Sequence, residues 1–275
     1  MGNRQSYEIE PIPAMRRFAF DAGYLGRKRH IVHGLIEVDI TKARNFMSEH
    51  ERVTGEKLSL TAFIISCLSK SIEEHPHIHA YRDWRNRLII YKDINITSMF
   101  EIDVDGKKTP IPHVFTETNR KNFRQIHEEL RAIQNKPHTS DETKFMRWFL
   151  YFPAFLRRIF YWIVMRFPQT FRDKSSPVMV TAVGMFGTGG GWAITMPNFT
   201  LNVGVGGISK KPGIHDGQIA IREFLALTVS VDHDIVDGAP ATRFIQSFRS
   251  RLENATDLIA LTDLNNNVSP SNNAL

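Results

Sequence analysis

The sequence predicts an α/β protein built on a mixed β-sheet, and three observations carry that prediction. Strand-like β-branched runs alternate with segments of helical apolar periodicity. No glycine-rich nucleotide fingerprint accompanies them, which argues against a doubly wound parallel sheet. No internal repeat divides the 275 residues, and with 42% apolar and 23% charged residues the composition is that of an ordinary globular protein. Length alone permits one large domain or two small ones.

Taken in order, residues 1–12 read as a polar leader. They lack an apolar h-region, so they are not a secretory signal. MGNRQS fits the loose myristoylation pattern. A strand is expected from Gly34 to Ile40, then a helix from about Thr41, capped by Asp39 or Thr41. SLTAFIISCLSKSIEEHP is a strong amphipathic helix that stops before Pro76. RLIIYKDINITSMFEIDVDG supplies two β-branched runs with a turn at Asp105-Gly106, and KNFRQIHEELRAIQ is a further helix. VMVTAVGMFG and FTLNVGVGGIS are strand-like on either side of the glycine run 187–191. FLALTVSVDHDIVDG is a long strand running into a turn, and APATRFIQSFRSRLEN closes the fold as a helix. The tail 263–275 is polar and expected to be disordered.

Several function classes recede on composition. Cys67 is the only cysteine, so no intrachain disulfide and no cysteine zinc site exist. Its apolar helical setting marks it as core. The net charge of +6 suits acidic small molecules or anionic lipid. No nucleic-acid module signature is present, so nucleic acid is not an expected partner. His75, His77 and His79 alternate in HPHIH without supporting acidic or thiol ligands, and no metal is expected there. The glycine run lacks the Gly-Lys-Ser or Gly-Lys-Thr of a phosphate-binding loop. Asp103-Val104-Asp105-Gly106 lacks the later ligands of a calcium loop.

Residues 145–171, FMRWFLYFPAFLRRIFYWIVMRFPQTF, are rich in aromatics and punctuated by arginine. A span needs about 20 mostly apolar residues. Arg157 and Arg158 interrupt the run and Pro153 breaks it, so a span is not expected. Two readings stay open: an amphipathic membrane-surface segment, or a hairpin packed on a partner subunit or in the core.

The strongest constellation is Asp232-His233-Asp234-Ile235-Val236-Asp237-Gly238, where an apolar strand ends in a histidine and a helix follows at once. A histidine at a strand end is held rigidly, as general-base work requires. An aspartate four residues on can fix the supporting turn, and glycine permits it. On spacing alone a structural histidine fits equally well.

His233-x-x-x-Asp237-Gly238 before Ala239 resembles the HxxxDG signature of the chloramphenicol-acetyltransferase-like superfamily. It is closer still to the D-H-R-x-x-D-G-A form in the catalytic domain of the dihydrolipoyl acyltransferase subunit of 2-oxo acid dehydrogenase complexes. VTAVGMFGTGG (180–190), VGVGGISKKPGIHDGQI (203–219), LSLTAFIISCLSKSIEEHPHIHA (58–80), YKDINITSM and TPIPHV resemble further stretches of that family in the same order. The match covers most of residues 30–255, with an insertion at about 140–175.

The resemblance implies a two-layer sandwich with a mixed sheet, the CoA-dependent acyltransferase fold, in a catalytic domain over residues 13–262. It implies homotrimers or multiples of trimers with active sites at subunit interfaces. There a coenzyme A thioester meets a thiol or hydroxyl acceptor. Carried over by position, His233 is the general base, Thr181 the oxyanion donor and Asp237 the residue that orients the turn. Lys210 and Lys211 are candidates for the phosphates of CoA. Two positions depart from the family: Asp234 stands where arginine is usual, a charge reversal expected to favour the imidazolium, and Ala182 where asparagine is common.

The residues before the match leave no room for lipoyl or subunit-binding domains. The expectation is therefore a cytoplasmic, stand-alone acyltransferase with no lipoyl group of its own, one served by a lipoyl domain in trans, or a non-catalytic trimeric scaffold. A membrane-surface interaction protein acting through residues 145–171 is the further alternative.

Overall fold

The structure, a computed structural model, describes residues 8–12, 16–104, 107–135, 148–167, 176–183, 189–196 and 198–261. The expected Asp105-Gly106 turn, the first two residues of the glycine run, the start of the leader and the polar tail lie outside them.

One six-stranded sheet organises the molecule. Its strands are β1 (Ile31–Asp39), β4 (Ile96–Val104), β5 (Lys107–Phe115), β6 (Val178–Ala182), β7 (Leu201–His215) and β8 (Gln218–Asp232). Their spatial order is β1-β8-β7-β6-β4-β5. The β7–β6 and β6–β4 pairs are parallel and the others antiparallel, so the sheet is mixed, as expected. Two short strands, β2 (Tyr81–Arg82) and β3 (Leu88–Ile89), form a separate ribbon.

Helices α2 (Thr41–Thr54), α3 (Leu60–Glu74), α4 (Phe123–Asn135) and α6 (Gly238–Asn254) pack together as the second layer. Helix α3 is buried on nearly every side, with Phe63, Ile64, Ile65, Leu68 and Ile72 in the core beside Ile96, Val203, Leu227, Phe244 and Phe248. The sequence starts and stops this helix. The Ser59 side chain accepts a bond from the Ala62 N–H, satisfying one of the first-turn donors, and Pro76 follows the C-cap. Cys67 is part of this core, and burial pushes its thiol well above the usual range. At the start of α2 the N-cap position belongs to Ile40. The Asp39 carboxylate nonetheless accepts from the Thr41 N–H at 2.9 Å.

Three strands, β1, β7 and β8, exceed the sequence expectation. β1 begins three residues early, because His30 and Ile31 are drawn into register with the end of β8. The β7–β8 pair is a hairpin of two 15-residue strands, turning at Asp216-Gly217, which both take positive φ (50° and 75°). Asp-Gly at this position is the strongest short-range hairpin signal, since the turn needs left-handed backbone twice.

Residues 189–193 run across one face of β7. A Cβ at Gly206 would lie 2.1 Å from the Gly191 carbonyl oxygen, and one at Gly207 2.0 Å from that of Gly189. Only glycine allows this crossing.

The aromatic segment contributes α5 (Ala154–Arg166), which packs against α1 (Arg16–Gly26). No helix among the described residues is long and apolar enough to cross a membrane.

Candidate active site

Strand β8 carries the histidine to the end of the sheet, and the turn that follows is tied at several points. The Asp232 N–H donates to the Thr200 carbonyl at 2.9 Å, and the His233 N–H to the His30 carbonyl at 2.7 Å. The Ile235 and Val236 N–H groups both donate to the Asp232 carbonyl at 3.0 Å. Asp232 itself is buried. Its carboxylate receives the Arg29 guanidinium at 2.6 Å on one oxygen and the Asp234 N–H at 3.2 Å on the other. The backbone under His233 is thus fixed from both neighbouring strands, while the imidazole is exposed. An exposed imidazole on a rigid support can meet a group from outside the chain.

Asp237 occupies the N-cap of α6 with extended backbone, and its carbonyl accepts from Ala241. Its carboxylate makes no capping bond and is exposed. Asp234, next to His233, turns to other partners: His30 Nδ1 at 2.9 Å and the Arg82 guanidinium at 3.7 Å.

Thr181 is half-buried on β6. The register sets its distance from the histidine. Thr181 lies opposite Gly204 of β7, and Gly204 opposite Thr228 of β8. Two strand spacings and five positions along β8 therefore separate Thr181 from His233, roughly 19 Å between Cα atoms. Within one chain the two side chains do not meet. Lys210 and Lys211 lie further still. Lys210 is opposite Glu223, ten positions before His233 and roughly 30 Å away. Lys210 pairs with Glu223 at 3.7 Å, and Lys211 pairs with Glu37 and sits over the Phe224 ring.

The alternate histidines separate. His79 is buried and bonds the Tyr91 carbonyl through Nε2 at 3.2 Å, and burial holds its pKa below the ordinary value. His77 is exposed. Among the described residues, no group of three or more His, Cys, Asp or Glu could hold a metal ion.

A cleft of about 400 Å³ opens beside the histidine turn. Its walls include Tyr24 of α1, Lys28, Arg82 of β2, Trp162 and Arg166 of α5, and Asp234 of the turn. Sequence reading missed this cleft and the Arg29–Asp232 pair. The basic run Arg27-Lys28-Arg29 was the available signal, but only the β1–β8 pairing brings it to the histidine.

The chain thus presents a mixed sheet backed by a helical layer, with a histidine exposed at a strand end. The chain belongs to the family described as 2-oxoacid dehydrogenases acyltransferase (catalytic domain), whose profile matches residues 10–143 and 173–260. Helix α5 lies in the unmatched stretch between them. A dihydrolipoyllysine-residue acetyltransferase component of pyruvate dehydrogenase complex from Rickettsia bellii is 23% identical over 267 residues, covering 94% of this chain and 56% of its own length. The chain spans about half the length of the curated relatives it matches. A crystal structure described as a "probable dihydrolipoamide acetyltransferase" from Listeria monocytogenes superposes with a TM-score of 0.67 at 21% identity, covering 98% of this chain and 99% of that one. The cubic core of the pyruvate dehydrogenase multienzyme complex gives 0.67 at 18% identity, covering 93% and 96%. These likenesses establish the CoA-dependent acyltransferase fold.

Proposed function

We propose that the chain moves an acyl group between a coenzyme A thioester and a thiol or hydroxyl acceptor, with its site completed by a second copy. One observation carries this reading: His233 is exposed on a pinned turn, yet Thr181 of the same chain lies roughly 19 Å away. A neighbouring copy that brings its Thr181 to this His233 closes the gap. The assembly is then a homotrimer or a multiple of trimers.

In the reaction, His233 takes the proton from the acceptor S–H or O–H. The sulfur or oxygen attacks the thioester carbonyl carbon, and its π electrons move onto oxygen. The Thr181 hydroxyl donates to that oxyanion, a contact typically worth about 10²–10³ in rate. The intermediate collapses with cleavage of the C–S bond, and the imidazolium returns its proton to the departing CoA thiolate. The Asp237 carbonyl closes the first turn of α6, and its exposed carboxylate takes no part in proton transfer. Lys210 and Lys211 of one copy reach CoA phosphates only at another copy's histidine. A dihydrolipoyl thiol, carried on a domain in trans, is an acceptor of the required chemistry. The catalytic unit runs over residues 13–262, with residues 140–175 inserted, in a cytoplasmic chain.

The test is thiol release from acetyl-CoA and longer acyl-CoAs with dihydrolipoamide or small alcohols as acceptor. His233→Ala is expected to lower turnover about 10²-fold or more, and Thr181→Ala by a similar factor. Dissociating and reassembling the two variants together restores part of the activity, because some interfaces then join an intact His233 to an intact Thr181. Equal activity of the mixture and the separate variants would show that the site is not shared between copies. Absence of acyl-CoA binding to the wild type would overturn the reaction itself.

A further inference from the structure

Helix α5 is inside out. On a surface helix of a soluble protein, the apolar stripe faces the core and the charges face water. Here the residue most deeply buried is Arg157, with Tyr161 and Val164 half-buried on the same stripe. The opposite stripe, turned to the surroundings, carries Phe155 (61% exposed), Ile159 (51%) and Trp162 (57%). Arg157 is held inward by Asp21 of α1, through bonds of 2.7 and 3.2 Å, so this orientation is built in.

The charge around this face is equally one-sided. Residues 16–29 and 148–167 hold eight Lys and Arg and a single acid, Asp21; Arg157 and Arg29 are held in buried pairs with Asp21 and Asp232, which leaves six cations. The whole chain nets +6, so the rest of the molecule is close to neutral. Two of the cations, Lys28 and Arg158, share one aromatic ring: they lie 4.6 and 4.2 Å from the centroid of Tyr24.

We propose that α1 and α5 form a docking face for an anionic phospholipid bilayer. The 13-residue helix α5 is about 20 Å long, too short to span but suited to lying in the interfacial plane. Trp and Phe enter the acyl boundary, and Arg158 and Arg166 meet headgroup phosphates. Charge complementarity selects this occupant over a second copy of the chain. Residues 148–167 hold three arginines and no acid, whereas the cores of interfaces between protein copies are depleted of charge. The cleft beside the histidine turn borders this face through Ile159, Trp162 and Arg166.

The test uses the full chain and co-sedimentation with vesicles of phosphatidylcholine alone or with about 30% phosphatidylglycerol. Binding is read without acyl transfer, so it stands or falls apart from the proposed reaction. The expected result is binding at least about tenfold tighter to the anionic vesicles, weakened at high salt. Arg158→Glu/Arg166→Glu and Phe155→Ser/Trp162→Ser alter exposed side chains, and circular dichroism checks their fold. Each pair is expected to lower binding about tenfold or more. Equal pelleting with both vesicle types, or variants that pellet like the wild type, overturns the proposal. So does a Phe155→Ser/Trp162→Ser protein of lower assembly mass with unchanged vesicle binding, which assigns the face to a second copy.

Discussion

Arg157 and Asp21, 136 positions apart in the chain, meet as a buried two-point ion pair, and this contact decides which way α5 faces. The guanidinium also donates to the Phe152 carbonyl at 2.5 Å, and Arg17 of α1 reaches the Leu150 carbonyl at 2.8 Å. Asp21 and Arg17 thus tie the aromatic segment to α1 by polar bonds, while Phe155, Ile159 and Trp162 stay exposed on its other side.

Removing one partner of such a pair leaves a buried charge uncompensated, at a cost of about 3–5 kcal/mol. Asp21→Asn is expected to undock α5. Amide hydrogen exchange over residues 148–167 then rises sharply while that of β7 and β8 is unchanged. Replacing both residues by leucine is expected to recover much of the protection, because no lone charge remains. Unchanged exchange in Asp21→Asn would mean that aromatic packing alone seats the helix.

Arg29 touches Asp232 and not His233, so it is a positioning residue. Arg29→Gln is expected to lower kcat about tenfold or more through misplacement of the turn, with KM for acyl-CoA little changed. Arg29→Lys, which keeps the charge, is expected to recover part of the loss. A rise in KM at constant kcat would instead place Arg29 in substrate binding.

Glu56 joins α4 to the loop after α2. The Arg124 guanidinium, and after it His50, hold its pKa down at about 2, against an ordinary value of 4.5. A carboxylate depressed on folding stabilises the native state above pH 4.5, and the stabilisation is lost as pH falls toward 2. Glu56 is 36% exposed, so solvent screening limits the effect to about 1 kcal/mol or less. Glu56→Gln is therefore expected to lower the urea midpoint at pH 7, and the difference from wild type narrows between pH 4.5 and 3. A difference that does not change with pH would assign the effect to packing.

Much of the fold could be read along the chain because its signals are local. Ser59 and Pro76 bound α3, and β-branched runs mark β4 and β8. The histidine turn was legible too, since the residues that form it are consecutive. The hairpin tip at Asp216-Gly217 is equally local in its signal.

What the sequence by itself determined is the family, most strands of the central sheet and the helices that back it, with His233, Thr181 and Asp237 as candidates for the site. The tertiary structure decided how far apart they stand. Strand order and register place Thr181 two strands and five positions from His233, and pairing between strands distant in sequence leaves no local periodicity to read. It likewise decided between Arg157 and Arg158, adjacent and identical in type. One faces Asp21 and is buried, while the other faces outward over Tyr24. Periodicity shows that a helix has two faces. Which face is inside depends on the partner that waits there, and Asp21 lies on another helix 136 positions away.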